Sequence, residues 1–105
     1  MLVVGGGPVG LLTALRLRQS GLASTVVEQD PWSLQRSRAS TFQPAVLDRL
    51  AELDLAAPLV AAGVQVERIR SWDLDANHHQ DLDYGLIAAD TLHPDRLHLE
   101  QAALR

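Results

Sequence analysis

The chain opens MLVVGGGPVGLLTALRLRQSGLASTVVEQD, and the glycines at 5, 7 and 10 constrain its fold more than anything after them. Gly5-Gly6-Gly7-Pro8-Val9-Gly10 fits G-x-G-x-x-G. Leu2, Val3 and Val4 ahead of it read as a short buried strand, entered part-way. Leu11, Ala14, Leu15 and Leu22 behind it recur at helical spacing up to about Ser20. Gly21 is placed to end that helix in a left-handed conformation. Thr25, Val26 and Val27 make a second strand, whose apolar run without alternation suits a parallel strand covered on both faces. Residues 2–28 therefore predict a strand-helix-strand unit with a right-handed crossover.

In such a unit the three glycines have separate tasks. Gly5 allows the tight turn out of the strand, Gly7 removes a side chain so that a pyrophosphate can approach the backbone, and Gly10 lets helix and strand pack closely. The helix N-terminus offers unpaired N–H groups and a partial positive charge to phosphate. Glu28 lies 18 residues beyond Gly10, at the end of the second strand. A carboxylate there accepts hydrogen bonds from an adenosine ribose and repels a 2′-phosphate, so the nucleotide is of the NAD or FAD kind and not NADP. The motif alone leaves NAD and FAD open.

Bulk properties narrow the classes. The chain has 105 residues, enough for one small domain or part of a larger one. A net charge of −4 gives no electrostatic reason to bind nucleic acid or an anionic membrane. The absence of cysteine removes disulfides and thiolate zinc sites, and fits a cytoplasmic location. No apolar run reaches the roughly 18–20 residues that span a bilayer, and the start has no basic segment of the kind that opens a signal peptide.

Further along, Val46, Leu47, Leu50 and Leu53 mark an amphipathic helix, and a helical turn near 58–62 stops at Gly63. Two strands are expected at about 64–74 and 80–86, joined by the turn DANHH with Asn77 suited to it. A final helix is expected from Leu97 to Glu100 onward. Trp32, Trp72 and Tyr84 read as packing residues, and Arg36 as a solvated loop residue. His78 and His79 fall in the turn without the acids or cysteines that would complete a metal site. The acids at 73, 75, 81 and 83 read as a solvated hairpin face. No metal ligands are assigned.

Beyond Glu28 the sequence resembles the FAD-dependent aromatic-ring hydroxylases, the group A flavoprotein monooxygenases. Three stretches carry the likeness, in the family's order: VVGGGPVGLLTALRLRQSGLASTVVEQD, RASTFQPAVLDRLAELDLAAPLVAAGV and DTLHPDRLHLEQAAL. The resemblance implies an α/β fold: a Rossmann-like dinucleotide-binding βαβ unit with a helical segment and a small β-hairpin, forming an incomplete FAD-binding domain over 1–105. It implies that Gly5, Gly7 and Gly10 hold the FAD pyrophosphate, with Pro8 shaping the loop, that Glu28 binds the adenosine ribose, and that Gln29 is a further cofactor-binding residue. It implies that Arg38 in RAS contacts the cofactor through its fixed donor fork, and that Gln101 in LEQAAL does so from a helix start. Asp54 stands where the family usually has glycine, Asp95 where an aromatic is common, and Ala45 where a polar or basic residue is more usual.

The activity implied is hydroxylation of an aromatic or similar small molecule, with NAD(P)H as transient reductant and O₂ as co-substrate. The flavin carries that chemistry, so no catalytic residue is assigned to this chain. Family members are several times longer, with a second flavin motif containing a Gly-Asp pair and a substrate domain, neither present here. The chain is thus expected to be an N-terminal fragment, inactive in isolation. The alternatives are an NAD-dependent dehydrogenase, a halogenase or reductase of the same FAD superfamily, and a truncated fragment that binds nucleotide weakly or does not fold alone.

Overall fold

The computed structural model describes residues 1–30 and 39–100. The described residues divide into two compact units, residues 1–30 and residues 39–100.

In the first unit, β1 (Leu2–Val4) and β2 (Thr25–Val27) pair in parallel, with Leu2 opposite Thr25, Val3 opposite Val26 and Val4 opposite Val27. Helix α1 (Pro8–Gln19) connects them. The ladder extends at both ends, since Gly5 N–H donates to the Val27 carbonyl at 2.8 Å and Thr25 N–H to that of Met1 at 2.9 Å. Pro8 takes the first helical turn, where its missing N–H is not needed. The helix ends as expected: Gly21 has φ +78°, its N–H donates to the Arg18 carbonyl and Leu22 N–H reaches back to Leu17. That pair of bonds is the Schellman arrangement, and it uses two carbonyls that would otherwise lack donors.

The two strands are not buried, contrary to the reading of their apolar runs. Val3 and Val26 are half-buried, whereas Leu2 and Val4 are 66% and 80% exposed. One face of this two-stranded sheet is covered and the other is open. The uniform apolar run has the composition of a strand covered on both faces.

The hydrophobic core lies in the second unit, in Phe42, Leu47, Leu50, Leu53, Ala56, Leu59, Tyr84 and Leu97. Here β3 (Thr41–Phe42), β7 (Arg96–His98) and β4 (Val64–Val66) form an antiparallel sheet with β7 in the centre. Helix α2 (Pro44–Ala51) buries Pro44, Leu47 and Leu50, while Val46 is exposed, so the apolar stripe is narrower than its sequence spacing suggests. Helix α3 (Ala56–Ala62) follows and buries Ala56 and Leu59.

Asp48 on α2 clamps the segment before β7. Its carboxylate accepts from Thr91 Oγ1 at 2.7 Å and Leu92 N–H at 3.2 Å, and lies 2.9 Å from His93 Nδ1. The bonds from the His93 ring and then the Thr91 hydroxyl hold the Asp48 carboxyl below its usual range. Tyr84 is a packing residue, as expected, and its hydroxyl donates to Gln43 Oε1 at 3.1 Å.

Three of the elements expected from the sequence need correction here. The segment 64–74 is two strands, broken at Glu67: β4 pairs with β7, while β5 (Arg68–Asp73) leaves for a separate hairpin with β6 (His78–Asp83). The strand expected at 80–86 starts two residues earlier and gives way to a 3₁₀ turn at Tyr84–Ile87. His78 and His79 therefore lie in β6, opposite Asp73 and Trp72, and only residues 74–77 turn. Asn77 does adopt the left-handed conformation expected of a turn residue, with φ +46°. Trp72 is 56% exposed and sits against His79 with ring centroids 4.7 Å apart, so it is not a core residue.

The acids on this hairpin do more than face water. Arg70 donates to both oxygens of Asp81 at 2.7 Å, and Arg68 Nε to Asp83 at 2.9 Å. The Arg70 bonds are the main reason the Asp81 carboxyl is lowered. Asp73 instead caps the turn, accepting from the N–H groups of Asp75 and Ala76.

The third correction concerns β7. Arg96–His98 is the central strand of its sheet, not a helix start. Leu97 is fully buried between β3 and β4 while its neighbour His98 is exposed, the alternation of a strand.

Asp54 explains its own departure from the family pattern. It has φ +59°, its N–H donates to the Ala51 carbonyl, and Leu55 N–H reaches Leu50 at 2.9 Å. This is again the Schellman arrangement, with an aspartate in the position that favours glycine. Asp54→Gly should raise the chain's stability by about 0.5 kcal/mol, a melting temperature higher by about 2–4 °C. Thermal denaturation of the two proteins checks this, and a lower melting temperature for the variant contradicts it.

Candidate functional site

The sequence places the site at the loop between β1 and α1, and the structure resolves the separate roles of its glycines. Gly5 has φ +104°, a conformation that side chains oppose. A Cβ on Gly10 would run into the carbonyl oxygen of Gly5 and lie 3.5 Å from Val3 Cγ1, so this glycine sets the approach of α1 to the loop and strand. A Cβ on Gly7 would meet nothing within 4 Å. Gly7 is also in ordinary extended backbone, with φ −73° and ψ 176°. Neither conformation nor packing within the described residues asks for glycine there, and an open space beside the backbone remains.

Gly7 is also the N-cap of α1. No side chain caps the helix and its first turn holds no acid. Leu11 N–H makes the first helical bond, to the Gly7 carbonyl at 3.0 Å. The helix start thus presents the positive end of its dipole with no side-chain cap among the described residues, an arrangement suited to an anion. An open cradle at Gly7 beside an uncapped helix start fits a pyrophosphate group.

Glu28 follows β2 directly and reaches back to this loop. Its Oε2 accepts from Gly6 N–H at 2.7 Å and its Oε1 from Asp30 N–H at 2.9 Å. Gly6, the x of the first G-x-G, is a participant that motif reasoning passed over. It is buried, and a Cβ there would stand 3.2 Å from Glu28 Cβ. The available signal was the run of three glycines where the motif needs two. Gln29 is exposed just after the strand.

Gly5, Gly7, Pro8, Gly10 and Glu28 thus come together at one end of the parallel pair. Arg38, like Arg36 and Trp32, lies outside the described residues, and so does Gln101. An open hollow of about 580 Å³ lies elsewhere in this unit, lined by residues such as Ala14, Leu15, Leu22 and Val26, and includes none of the site residues. Among the described residues no three His, Asp or Glu side chains converge as a metal site, and no helix is long and apolar enough to cross a membrane.

Comparison with known proteins bears on this geometry. The family model described as FAD binding domain matches residues 1–104. The chain belongs to that family. Para-nitrophenol 4-monooxygenase of Pseudomonas sp. (strain WBC-3) is 36% identical over 105 residues, covering 96% of this chain and 25% of the relative. 6-Hydroxy-3-succinoylpyridine 3-monooxygenase HspB of Pseudomonas putida (strain DSM 28022 / S16) is 33% identical, covering 99% of this chain and 26% of the relative. The chain therefore spans about a quarter of the length of these proteins.

Among solved structures, p-nitrophenol 4-monooxygenase PnpA from Pseudomonas putida DLL-E4 superposes with a TM-score of 0.79 at 30% identity, over 98% of this chain and 26% of that one. Klebsiella pneumoniae HpxO, solved with FAD and uric acid, gives a TM-score of 0.74 at 18% identity over 99% of this chain and 26% of its own, a likeness of fold. These neighbours agree with a mixed α/β architecture for this FAD-binding domain family member.

Proposed function

We propose that this chain is the first part of the Rossmann-like FAD-binding domain of a flavin-dependent monooxygenase acting on an aromatic or related small molecule with NAD(P)H and O₂. The observation that carries the reading is the cradle at Gly7, open beside an uncapped helix start and flanked by Glu28. Gly5, Gly7 and Gly10 would receive the pyrophosphate of FAD, with Pro8 shaping the loop, Glu28 would receive the adenosine ribose, and Gln29 would be a further cofactor contact. Arg38 and Gln101 are proposed as further cofactor contacts on the strength of the family resemblance. FAD, when bound, supplies the electron transfer and oxygen chemistry of the reaction.

The residues of this chain have supporting tasks. The N–H groups at the start of α1 face negative charge without having to reorganise, because the helix already orients them. The Glu28 carboxylate favours a ribose that carries free hydroxyls and opposes one that carries a phosphate. No proton transfer or covalent step is assigned to any residue here. A second flavin motif and a substrate domain would lie outside these 105 residues, and a cytoplasmic location goes with this reading.

Titrating the purified chain with FAD and, separately, with NAD tests the proposal, following flavin fluorescence and melting temperature. FAD should bind and raise the melting temperature by mass action. Glu28→Ala should weaken it about 10- to 100-fold, the loss of a hydrogen bond to a charged group. Binding of NAD without binding of FAD would overturn the flavin assignment in favour of a dehydrogenase.

A further inference from the structure

We infer that Glu28 is also a positioning residue that braces the glycine loop before any nucleotide arrives. This goes beyond its role toward the ribose, and only the ribose half rests on the function proposed above.

The Glu28 carboxylate links two chain segments. Oε2 takes the N–H of Gly6, 22 residues away in sequence, and Oε1 takes the N–H of Asp30. The backbone ladder between β1 and β2 ends one step earlier, with Gly5 N–H on the Val27 carbonyl. Glu28 thus continues the pairing by one rung, through its side chain in place of its backbone. The close approach is built in, because a side chain on Gly6 would press on Glu28 Cβ at 3.2 Å.

The physical need for a brace follows from the loop's composition. Three consecutive glycines lose more backbone freedom on ordering than any other tripeptide. An unbraced Gly5–Gly7 segment would sample many conformations, and a ligand would have to select the competent one, weakening its apparent affinity by that fraction. Hydrogen bonds to an ionised carboxylate are roughly twice as strong as neutral ones, and Gly6 is buried, where an unmet N–H is costly. A carboxylate also offers about four acceptor positions, so these two bonds do not by themselves close it to a ribose hydroxyl.

Glu28→Gln separates the two roles. Glutamine keeps the length and still bonds a hydroxyl as acceptor or donor. It has only one oxygen, so one of the two N–H groups would face an NH₂ donor. Amide hydrogen exchange of the nucleotide-free chain, read residue by residue by NMR, reports the brace directly. In the wild type the Gly6 amide should be protected. In Glu28→Gln, exchange at Gly6 or Asp30 should quicken about tenfold or more, with Gly5 and Thr25 on the backbone ladder unchanged, and FAD affinity should fall as well.

A wild-type Gly6 amide that exchanges at the free-peptide rate overturns the inference, as does a Glu28→Gln protein with unaltered Gly6 and Asp30 amides. A uniform acceleration across Gly5, Thr25 and Gly6 also overturns it, since that would be loss of the whole unit. A protected Gly6 in a chain that does not bind FAD would leave the brace standing and remove the proposed function instead.

Discussion

Gly10→Ala should destabilise the first unit by about 3 kcal/mol and abolish FAD binding, while Gly7→Ala should leave stability within about 0.5 kcal/mol and still lose FAD. Two substitutions of the same size, three residues apart, thus have opposite consequences for the fold. At Gly10 the added methyl meets the Gly5 carbonyl oxygen, which is backbone and has no rotamer to retreat into. Either α1 lifts from the sheet or the loop gives up its turn, and overpacking of this kind costs about 1–3 kcal/mol or more. At Gly7 the methyl meets no protein atom and the backbone is one any residue adopts. The cost there falls on the ligand, because the methyl fills the cradle. Paired thermal melts and FAD titrations on both variants check this. Equal losses of stability would mean that Gly7 is there for the fold and that the cradle is not a ligand site.

The structural tasks of Gly5 and Gly10 were legible in sequence because backbone geometry dictates them. A tight turn from strand to helix needs a positive φ at one place and a missing Cβ at another, wherever the motif occurs. Gly21 and Asn77 were readable for the same reason, each being a residue that tolerates the left-handed region. Asp54 shows the converse: the hydrogen bonds enforce a left-handed residue after α2 although the side chain does not favour it.

Quantities that depend on partners distant in sequence were harder to read. The run from Val64 to Asp73 looks like one strand, since nothing local marks Glu67 as the point where pairing passes from β7 to β6. A helix from Leu97 to Glu100 is suggested by the helical composition of LHLEQAAL, whereas the place of Leu97 between Phe42 and Gln65 makes Arg96–His98 a strand. β1 and β2 are more exposed than their apolar runs suggest, because an apolar run reports what a strand is suited to, not what covers it. At the candidate site, spacing singles out Glu28 for the proposed ribose contact, whereas its bond to Gly6 depends on how the carboxylate turns once both strands are paired.

Leu97→Ala should cost about 2–5 kcal/mol, a large part of the roughly 5–15 kcal/mol that a domain of this size commands. Leu97 is fully buried on the central strand, and the residues it pairs with on either side are Phe42 and Gln65. Removing its isopropyl group takes apolar contacts from a core made of few residues, with little chance for a three-stranded sheet to close the gap. Its Cδ1 is also what a side chain on Gly63 would meet first, at 2.6 Å, with the His98 carbonyl oxygen next at 3.0 Å. Gly63→Ala alone should therefore cost about 1–3 kcal/mol by overpacking.

The double variant should be less destabilised than the sum of the two, because the alanine at 63 partly fills the space vacated at 97, while the His98 carbonyl limits the recovery. An interaction of about 1 kcal/mol is expected from a double-mutant cycle in urea. Strict additivity would mean that Gly63 is confined by the β7 backbone and not by the Leu97 side chain, and would move the origin of this close contact from core packing to the turn that leads from α3 into β4.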